Sequence, residues 1–180
     1  KDGALDDRKN AERFLDIVLK HIDRLDMIID DLLTLAKLEQ HGSPGIEMEE
    51  QPILPILESV VDDFENKARH KKIDIIIKCD NTLTGKLNRH LLEQAIANLI
   101  DNAIKYSDKK TTIEIGAYRI NNELKIYVDD DGYGISEEHI PRLFERFYRI
   151  DKARSREEGG TGLGLAIVKH LVNVLGGTVE

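Results

Sequence analysis

Two asparagines on one face of an apolar helical segment are the first residues whose types could carry chemistry. In the stretch NLIDNAIKYS, Asn98, Asn102 and Lys105 lie four and three residues apart, so a helix places them on one face. Asparagine costs roughly half a kcal/mol in a helix interior, and a plain solvated face normally uses Glu, Lys, Arg or Gln. This face is open to two interpretations: an ordinary solvated surface, or neutral amides that contact a charged group.

A second candidate follows the apolar segment that ends at residue 128. The sequence VDDDGYGIS places Asp130 two residues before Gly132, and Gly134 two residues further on. Glycine allows a ligand to approach the backbone closely, and a carboxylate at this point can accept a hydrogen bond from the exocyclic amine of adenine. Because Asp and Gly are also common in turns, this motif alone does not distinguish a base site from a turn.

A glycine-rich loop supplies the third candidate. GGTGLGLA runs into an apolar helix, whose free N–H groups and positive dipole end favour an anion. The loop is neither a Walker A nor a Rossmann loop, because the Lys and the preceding strand that those motifs require are missing. Residues 142–156 carry six basic side chains against two acidic ones, which favours phosphate as the anion. The segment 151–160 is a candidate lid.

Together these three features predict a nucleotide site that works with Mg²⁺. Polyphosphates arrive with Mg²⁺, a hard cation that keeps several waters and takes few protein oxygens. The amide oxygens of Asn98 and Asn102 suit this ion because they add no negative charge near the phosphates, and Lys105 extends the same face towards them.

The composition narrows the class of protein. The 180 residues carry a net charge of −8, which argues against nucleic acid as a partner. Cys79 is the single cysteine, so the chain has no internal disulfide, and a reducing cytoplasm is the expected location. No apolar run approaches the roughly 18 residues of a membrane span, so we expect no direct membrane contact from this segment.

The elements that must position these residues fall into two parts. From Ala11 to Leu38 the apolar residues recur at alternating steps of four and three, which predicts a long helix of a bundle. This helix is expected to pack only against a partner chain or a missing helix. The breaker cluster HGSPG at residues 41–45 predicts a domain boundary, with 1–42 on one side and 43–180 on the other.

The second part has the pattern of an α/β domain, with helices on one face of a mixed or antiparallel sheet. The predicted helices cover residues 53–69, 89–107, 137–147 and 163–175. The predicted strands cover residues 73–79, 111–118, 123–130 and 178–180, of which the second and third form a hairpin.

These blocks, in this order, resemble the catalytic and ATP-binding domain of sensor histidine kinases of two-component systems. NLIDNAIKYS is similar to their N box, DDDGYGI to the G1 box, LFERFYR to the F box and GGTGLGLAIVKHLV to the G2 box. RLDMIIDDLLTLAKLEQ resembles the second helix of their dimerisation and phosphotransfer domain. The resemblance implies an α/β (α+β) class: a two-layer α/β sandwich, shared with Hsp90, gyrase and MutL, preceded by a bundle-forming helix.

The resemblance also implies roles for individual residues. Asp130 binds the adenine amine, while Tyr106 and Ile135 wall the base. Asn98 and Asn102 serve Mg²⁺ and the phosphates, and Arg149 reaches the terminal phosphate, which makes these three the implied catalytic residues. The implied ATP-binding set is completed by Lys105, Gly132, Gly134, Arg146, Gly160, Thr161, Gly162, Leu163, Gly164 and Leu165.

The implied activity is that of a protein-histidine kinase core, which binds Mg·ATP and passes the γ-phosphoryl group to a histidine for relay to a response-regulator aspartate. The implied assembly is a homodimer, and the implied parent protein is compatible with a membrane-anchored sensor.

The sequence departs from the family twice. His21 lacks the flanking acid and proline of a phosphoacceptor box and is expected to be an ordinary bundle histidine. The chain also stops at GGTVE, before the strands that normally finish the sandwich, so we expect a fragment.

Three other functions stay open at this point. An ATPase of the gyrase, Hsp90 or MutL type would carry a glutamate as general base at the position of Asn98. A non-catalytic module whose interactions are controlled by nucleotide is a second alternative. The complete glycine motifs and Arg149 argue against a site that has lost catalysis. An anti-sigma-factor serine kinase shares the fold but is not expected to carry the long helix before residue 41.

Overall fold

The computed structural model of the chain describes residues 8–40, 46–150 and 160–180. The helices in these ranges are α1 (Arg8–Gln40), α2 (Ile53–Lys71), α3 (Arg89–Tyr106) and α4 (Gly164–Val174). The strands are β1 (Glu49–Pro52), β2 (Asp74–Cys79), β3 (Thr84–Leu87), β4 (Thr112–Ile120) and β5 (Glu123–Asp130). The mixture of helices and strands confirms the expected α/β class.

The larger sheet has the strand order β2-β4-β5 and is mixed, which is one of the two forms predicted. Strand β2 runs parallel to β4, whereas β4 and β5 form the expected antiparallel hairpin, with Ile113 opposite Asp130 and Ile120 opposite Glu123. The hairpin turns at Asn121 and Asn122, whose φ angles of 48° and 67° lie in the left-handed region that asparagine tolerates. This register fixes the end of β5, and with it the position of Asp130.

Helices α2 and α3 pack against this sheet to form a two-layer core. Ile53 and Leu57 of α2, Ile100 of α3, and Ile113 and Ile115 of β4 are all fully buried in one cluster. The polar face of α3 is therefore turned away from the sheet, where its asparagines are available to a site. Burial of each such side chain contributes about 1.5–3 kcal/mol.

The sequence patterns did not predict the smaller sheet, in which β1 and β3 pair antiparallel from Glu49 opposite Leu87 to Pro52 opposite Thr84. Each of these strands has only four residues, EEQP and TGKL, and neither shows an extended alternation of apolar and polar residues. A pattern-based prediction needs a longer run than this.

Helix α1 is confirmed, but the expectation that nothing in the chain packs against it is wrong at its C-terminal end. Leu35 is only 3% exposed and packs with Ala95 of α3 and with Leu163, Ile167 and Leu171 in and before α4. Most of its other described apolar side chains are exposed, including Phe14, Leu15, Ile17, Val18, Leu19, Ile22, Leu25, Ile29, Leu32 and Leu33.

Two other predictions are wrong. The segment 137–147 is a series of turns with a short 3-10 helix at Ile140–Arg142 instead of an α-helix. Pro141 cannot donate a backbone hydrogen bond, and Phe147, with φ of 62°, is in the left-handed region, so the α-helical pattern cannot continue. Residues 178–180 form no strand. The candidate lid lies, apart from Gly160, outside the described residues, and no helix in the described ranges is long and apolar enough to cross a membrane.

Candidate functional site

A cavity of about 690 Å³ lies between α3, the end of β5, the glycine-rich loop and the C-terminal part of α1. This volume falls within the range of about 300–1,000 Å³ that small-molecule sites occupy. Its wall brings together most of the residues predicted from the sequence: Asn98, Asn102, Lys105, Tyr106, Asp130, Gly132, Gly134, Ile135, Arg149, Gly160, Thr161, Gly162, Gly164 and Leu165.

Two predicted residues do not line the cavity. Leu163 is fully buried, and its side chain packs in the small core that also contains Leu35 and Ile167. Only its backbone takes part in the loop, because its N–H donates to Thr161 Oγ1 at 3.2 Å. Arg146 also lies outside the cavity wall.

Asp130 and Gly132 form one end of the cavity, here called the base end. The Gly132 N–H donates to Asp130 Oδ1 at 2.9 Å, and Gly132 forms a bridge with Ser107 just after α3. A Cβ atom on Gly132 would lie 2.4 Å from Asp130 Oδ1 and 3.1 Å from the Tyr106 carbonyl oxygen. Only glycine permits this approach, which joins the end of β5 to the end of α3.

Aromatic and apolar side chains flank Asp130. The rings of Tyr106 and Tyr133 meet edge to face, with centroids 6.3 Å apart and an interplanar angle of 88°. Ile135 lies nearby in the cavity wall and is 47% exposed. A carboxylate beside exposed apolar and aromatic surface suits a planar base that carries an amino group.

The opposite end, here called the phosphate end, contains the two asparagines and the N-terminus of α4. Asn98 Nδ2 donates to the Gln94 carbonyl at 2.9 Å, and Asn98 Oδ1 faces Gly164. A Cβ atom on Gly164 would lie 3.1 Å from that oxygen and 3.8 Å from Asn102 Nδ2. The N-cap residue of α4, Leu163, makes no side-chain capping hydrogen bond, so the first N–H groups of this helix remain available beside the amides.

An ion-pair network holds Lys105 at the side of this end. Lys105 Nζ lies 2.5 Å from Asp101 Oδ2, and Lys67 contacts the other oxygen of the same carboxylate. Burial favours a higher pKa for Asp101, but the two lysines outweigh it, and the pKa of Asp101 lies below its ordinary value. Lys105 therefore lines the cavity, as the sequence predicted, but its ammonium group is already paired with Asp101.

The turns of 137–149 support the glycine-rich loop. The Phe147 N–H donates to the Gly162 carbonyl at 2.8 Å, and the Arg149 side chain packs beside Gly162. Gly162 has φ of 77°, and an added Cβ would lie 3.0 Å from the Phe147 backbone. Tyr148, in the cavity wall, is fixed by a 2.8 Å hydrogen bond to His139 Nδ1 and by the Arg142 guanidinium, 4.3 Å above its ring.

Helix α1 also contributes to the phosphate end. Met27, Asp30 and Asp31 line the cavity, and the Thr161 hydroxyl donates to Asp31 Oδ2 at 2.8 Å. Burial raises the pKa of Asp31; the Thr161 hydrogen bond and Lys105 oppose the rise, whereas the carboxylates of Asp30 and Asp101 add to it. Negative charge is thus already unfavourable at this position.

Some residues of the wall were not predicted. Tyr133 lies inside the quoted stretch DDDGYGI and Tyr148 inside LFERFYR, so the motifs contained both. Asp101 stands four residues before Lys105, a spacing that indicates a helical ion pair. The sequence does not predict that Met27, Asp30 and Asp31 line the cavity, because only the packing of α1 on α4 brings them there.

The sequence of the chain matches a known protein family over most of the residues that form the cavity. The sequence model of the histidine kinase-, DNA gyrase B- and HSP90-like ATPases matches residues 87–180, about half of the chain. The chain belongs to this family. The match begins at the end of β3 and includes α3, β5 and α4, the elements that carry both ends of the cavity.

Individual relatives narrow the family further. The sensor protein SrrB of Staphylococcus aureus is 30% identical over 179 residues, which are 99% of this chain but 30% of that protein. The chain thus spans less than a third of the length of such curated relatives. The structure of histidine kinase AdeS of Acinetobacter baumannii has a TM-score of 0.71 at 26% identity, with 97% of this chain and 77% of that chain covered.

A mycobacterial sensor histidine kinase, MprB, covers 72% of this chain and 80% of that chain at 26% identity, with a TM-score of 0.60. Together with the family match, these relatives identify the catalytic domain of a sensor histidine kinase. The resemblance drawn from the four sequence motifs is confirmed.

Within the described residues, no group of three or more His, Cys, Asp or Glu side chains is arranged to hold a metal ion. The oxygen donor that faces the N-terminus of α4 is the amide Oδ1 of Asn98. This donor set fits Mg²⁺ that is brought in with a nucleotide and keeps most of its waters, and it does not fit a permanently bound metal.

Proposed function

We propose that the chain binds Mg·ATP in this cavity and transfers the γ-phosphoryl group to a histidine on another segment, for relay to an aspartate of a response regulator. The observation that carries the proposal is the opposition of Asn98 and Asn102 to the uncapped N-terminus of α4. This arrangement offers neutral amide oxygens and N–H groups to the same small volume, which is what a metal-bound polyphosphate requires.

At the base end, Asp130 accepts a hydrogen bond from the adenine amine. Tyr106 and Ile135 contact the adenine ring. Asp130 already receives one hydrogen bond, from the Gly132 N–H, which holds its carboxylate in place before a ligand arrives. Tyr133, edge to face with Tyr106, fixes the orientation of that ring. The base is thus recognised by preformed groups, which lowers the cost of ordering on binding.

At the phosphate end, the N–H groups at the start of α4 and the backbone of Gly160, Gly162 and Gly164 hold the phosphate oxygens. Arg149 contacts the terminal phosphate in this proposal, which its position in the cavity wall beside Gly162 supports. Asn98 and Asn102 would hold Mg²⁺, which neutralises charge that develops on the phosphate oxygens. The protein orients the γ-phosphorus for in-line attack by the histidine nitrogen, and the bond to the bridging oxygen breaks as ADP departs.

Asn98 separates this proposal from an ATPase of the same family. An amide cannot take a proton from water, so the site lacks a general base at this position. Of the nearby carboxylates, Asp101 is held by two lysines and Asp31 by the Thr161 hydroxyl. We therefore expect slow hydrolysis, which leaves the γ-phosphoryl group available to a protein nucleophile.

We further propose the division of the chain into residues 1–42, part of a dimerisation and phosphotransfer domain, and residues 43–180, the catalytic domain. The exposed apolar side chains of α1, such as Phe14, Leu15 and Leu25, support a homodimer in which a bundle covers them and presents a response-regulator surface. A cytoplasmic location accompanies this proposal, and the net charge of −8 argues against general nucleic-acid binding.

Transfer of labelled phosphate tests the reaction. The chain is incubated with γ-labelled ATP alone and with an isolated histidine phosphotransfer domain, and the label is analysed for stability. We expect no label on the chain alone and an acid-labile, base-stable label on the added domain. Rapid release of inorganic phosphate in both samples would instead identify an ATPase, and label on the chain that is lost in His21→Gln would overturn the interpretation of His21.

A further inference from the structure

The contact between α1 and the glycine-rich loop has no counterpart in the sequence motifs. Leu35 is buried against Leu163, Ile167 and Leu171, and one turn earlier Asp31 accepts the hydrogen bond from Thr161. The two partners of this hydrogen bond are 130 residues apart in the chain. Packing and hydrogen bonding together therefore dock the C-terminal third of α1 onto the phosphate end.

Thr161 is the link between this docking and the site. Its hydroxyl donates to Asp31 and at the same time accepts from the Leu163 N–H at 3.2 Å. Leu163 immediately precedes α4, whose first N–H groups we assign to phosphate. One hydroxyl thus connects the position of α1 to the geometry of the phosphate-binding turn.

Helix α1 brings negative charge to the cavity, whereas a polyphosphate requires positive or neutral groups. Asp30 and Asp31 both line the cavity, and the hydrogen bond from Thr161 places Asp31 beside the glycine-rich loop. Lys105 partly offsets their charge, but it is already paired with Asp101 at 2.5 Å. The carboxylates of Asp30 and Asp101 also act electrostatically on Asp31, so a further anion beside Asp31 is repelled.

We propose that Asp31 is a specificity-determining residue that makes the docked form of the chain bind diphosphate nucleotides in preference to triphosphates. The inference rests on the proposed nucleotide site and adds a selectivity to it. The γ-phosphate of ATP carries its charge towards Asp31 and competes with this carboxylate for the Thr161 hydroxyl. ADP lacks that group, so it leaves the hydrogen bond and the docking of α1 intact.

The alternative role for Asp31 is that of a Mg²⁺ ligand, and it predicts the opposite result. A ligand carboxylate would strengthen ATP binding in the presence of Mg²⁺, so removal of its charge would weaken that binding. The structure favours repulsion because Asp31 is already occupied by Thr161, while the amide oxygen that faces α4 belongs to Asn98.

Calorimetric titration with ADP and with a non-hydrolysable ATP analogue tests the inference in the wild-type chain, Asp31→Asn and Asp16→Asn. Asp16 lies on the same helix, is exposed and is distant in sequence from the docked turn, so it is the matched control. We expect Asp31→Asn to bind the ATP analogue about fivefold more tightly, with ADP affinity changed less than about twofold. Asp16→Asn should match the wild type.

Hydrogen exchange of the peptide that covers residues 28–36 provides a second measurement. In the wild type, the ATP analogue should speed exchange there, whereas ADP should not. An unchanged ADP-to-ATP affinity ratio in Asp31→Asn, or Mg²⁺-dependent loss of ATP affinity, would overturn the inference while nucleotide binding by the wild type still supports the site. A wild-type chain that binds neither nucleotide would overturn the proposed function and the inference together.

Discussion

At the base end of the cavity, Asp130 accepts from the amide of Gly132, two residues later, whereas at the phosphate end Thr161 donates to Asp31, 130 residues away. The base end is assembled from one hairpin strand and the end of one helix, in a register that the β4–β5 pairing fixes. The phosphate end is assembled from α3, the glycine-rich loop and α1.

The two ends therefore differ in what holds them: local pairing at the base end, and a contact distant in sequence at the phosphate end. At the base end, Asp130 pairs opposite Ile113 in the sheet and Gly132 bridges to Ser107 after α3, so the backbone there is held by strand pairing. The phosphate end depends on the position of α1, and Leu35 is the one buried apolar side chain among the described side chains of α1. We infer that affinity for the nucleotide resides mainly at the base end and discrimination between nucleotides at the phosphate end.

The largest expected effect is at the base end. Asp130→Ala removes the acceptor for the adenine amine and leaves that amine unpaired, so we expect a loss of roughly 1.5–3 kcal/mol, or about tenfold to a hundredfold in affinity. Because the phosphates play no part in this contact, ADP and ATP should lose affinity equally. Calorimetric titration measures both, with Asp63→Ala on the exposed face of α2 as the control. Unchanged ADP affinity would remove Asp130 from the site.

A smaller and selective effect is expected at the phosphate end. Asn98→Asp replaces the amide that faces Gly164 with a carboxylate of nearly the same size, so it adds negative charge beside the phosphates. ATP affinity should fall by about tenfold and ADP affinity by less, since repulsion grows with the charge of the ligand. Asn173→Asp, exposed on α4, is the matched control. Equal losses for both nucleotides would contradict the division of the cavity into two ends.

The same contrast explains how much of the site could be predicted from sequence. Asp130, Gly132 and Gly134 lie within five residues, and Asn98 and Asn102 lie one helical turn apart, so local spacing is enough to group them. The contribution of Asp31 depends on the packing of Leu35 among residues of α4, a contact distant in sequence that no periodic pattern encodes.

The fold shows a similar limit. The long amphipathic helices and the β4–β5 hairpin were predictable, because their periodicity extends over eight or more residues. The four-residue strands β1 and β3 are too short for any pattern. In 137–147 the apolar spacing suggested a helix, but Pro141 and the left-handed Phe147 impose turns, and the hydrogen bond from Phe147 to Gly162 offsets the cost.

The smallest expected effect is the pH dependence of the network beside Lys105. The pKa of Asp101 is lowered in the folded state because Lys105 and Lys67 outweigh its burial, so the folded protein binds fewer protons at this carboxylate than the unfolded chain. The stabilisation is therefore complete above the unfolded value of about 4 and disappears as the pH falls through the folded value. Asp101→Asn should lower the urea midpoint at neutral pH.

The difference between wild type and Asp101→Asn should shrink as the pH falls below about 4, because protonation then removes the same charge from the wild type. Asp31 is expected to act in the opposite sense: its pKa is raised chiefly by burial, so its charge destabilises the folded chain at neutral pH and this cost decreases on acidification. Urea titrations of both variants between pH 3 and 7, with Asp63→Asn as control, separate the two contributions. A constant difference for Asp101→Asn across that range would show that its pairing with the lysines does not stabilise the phosphate end.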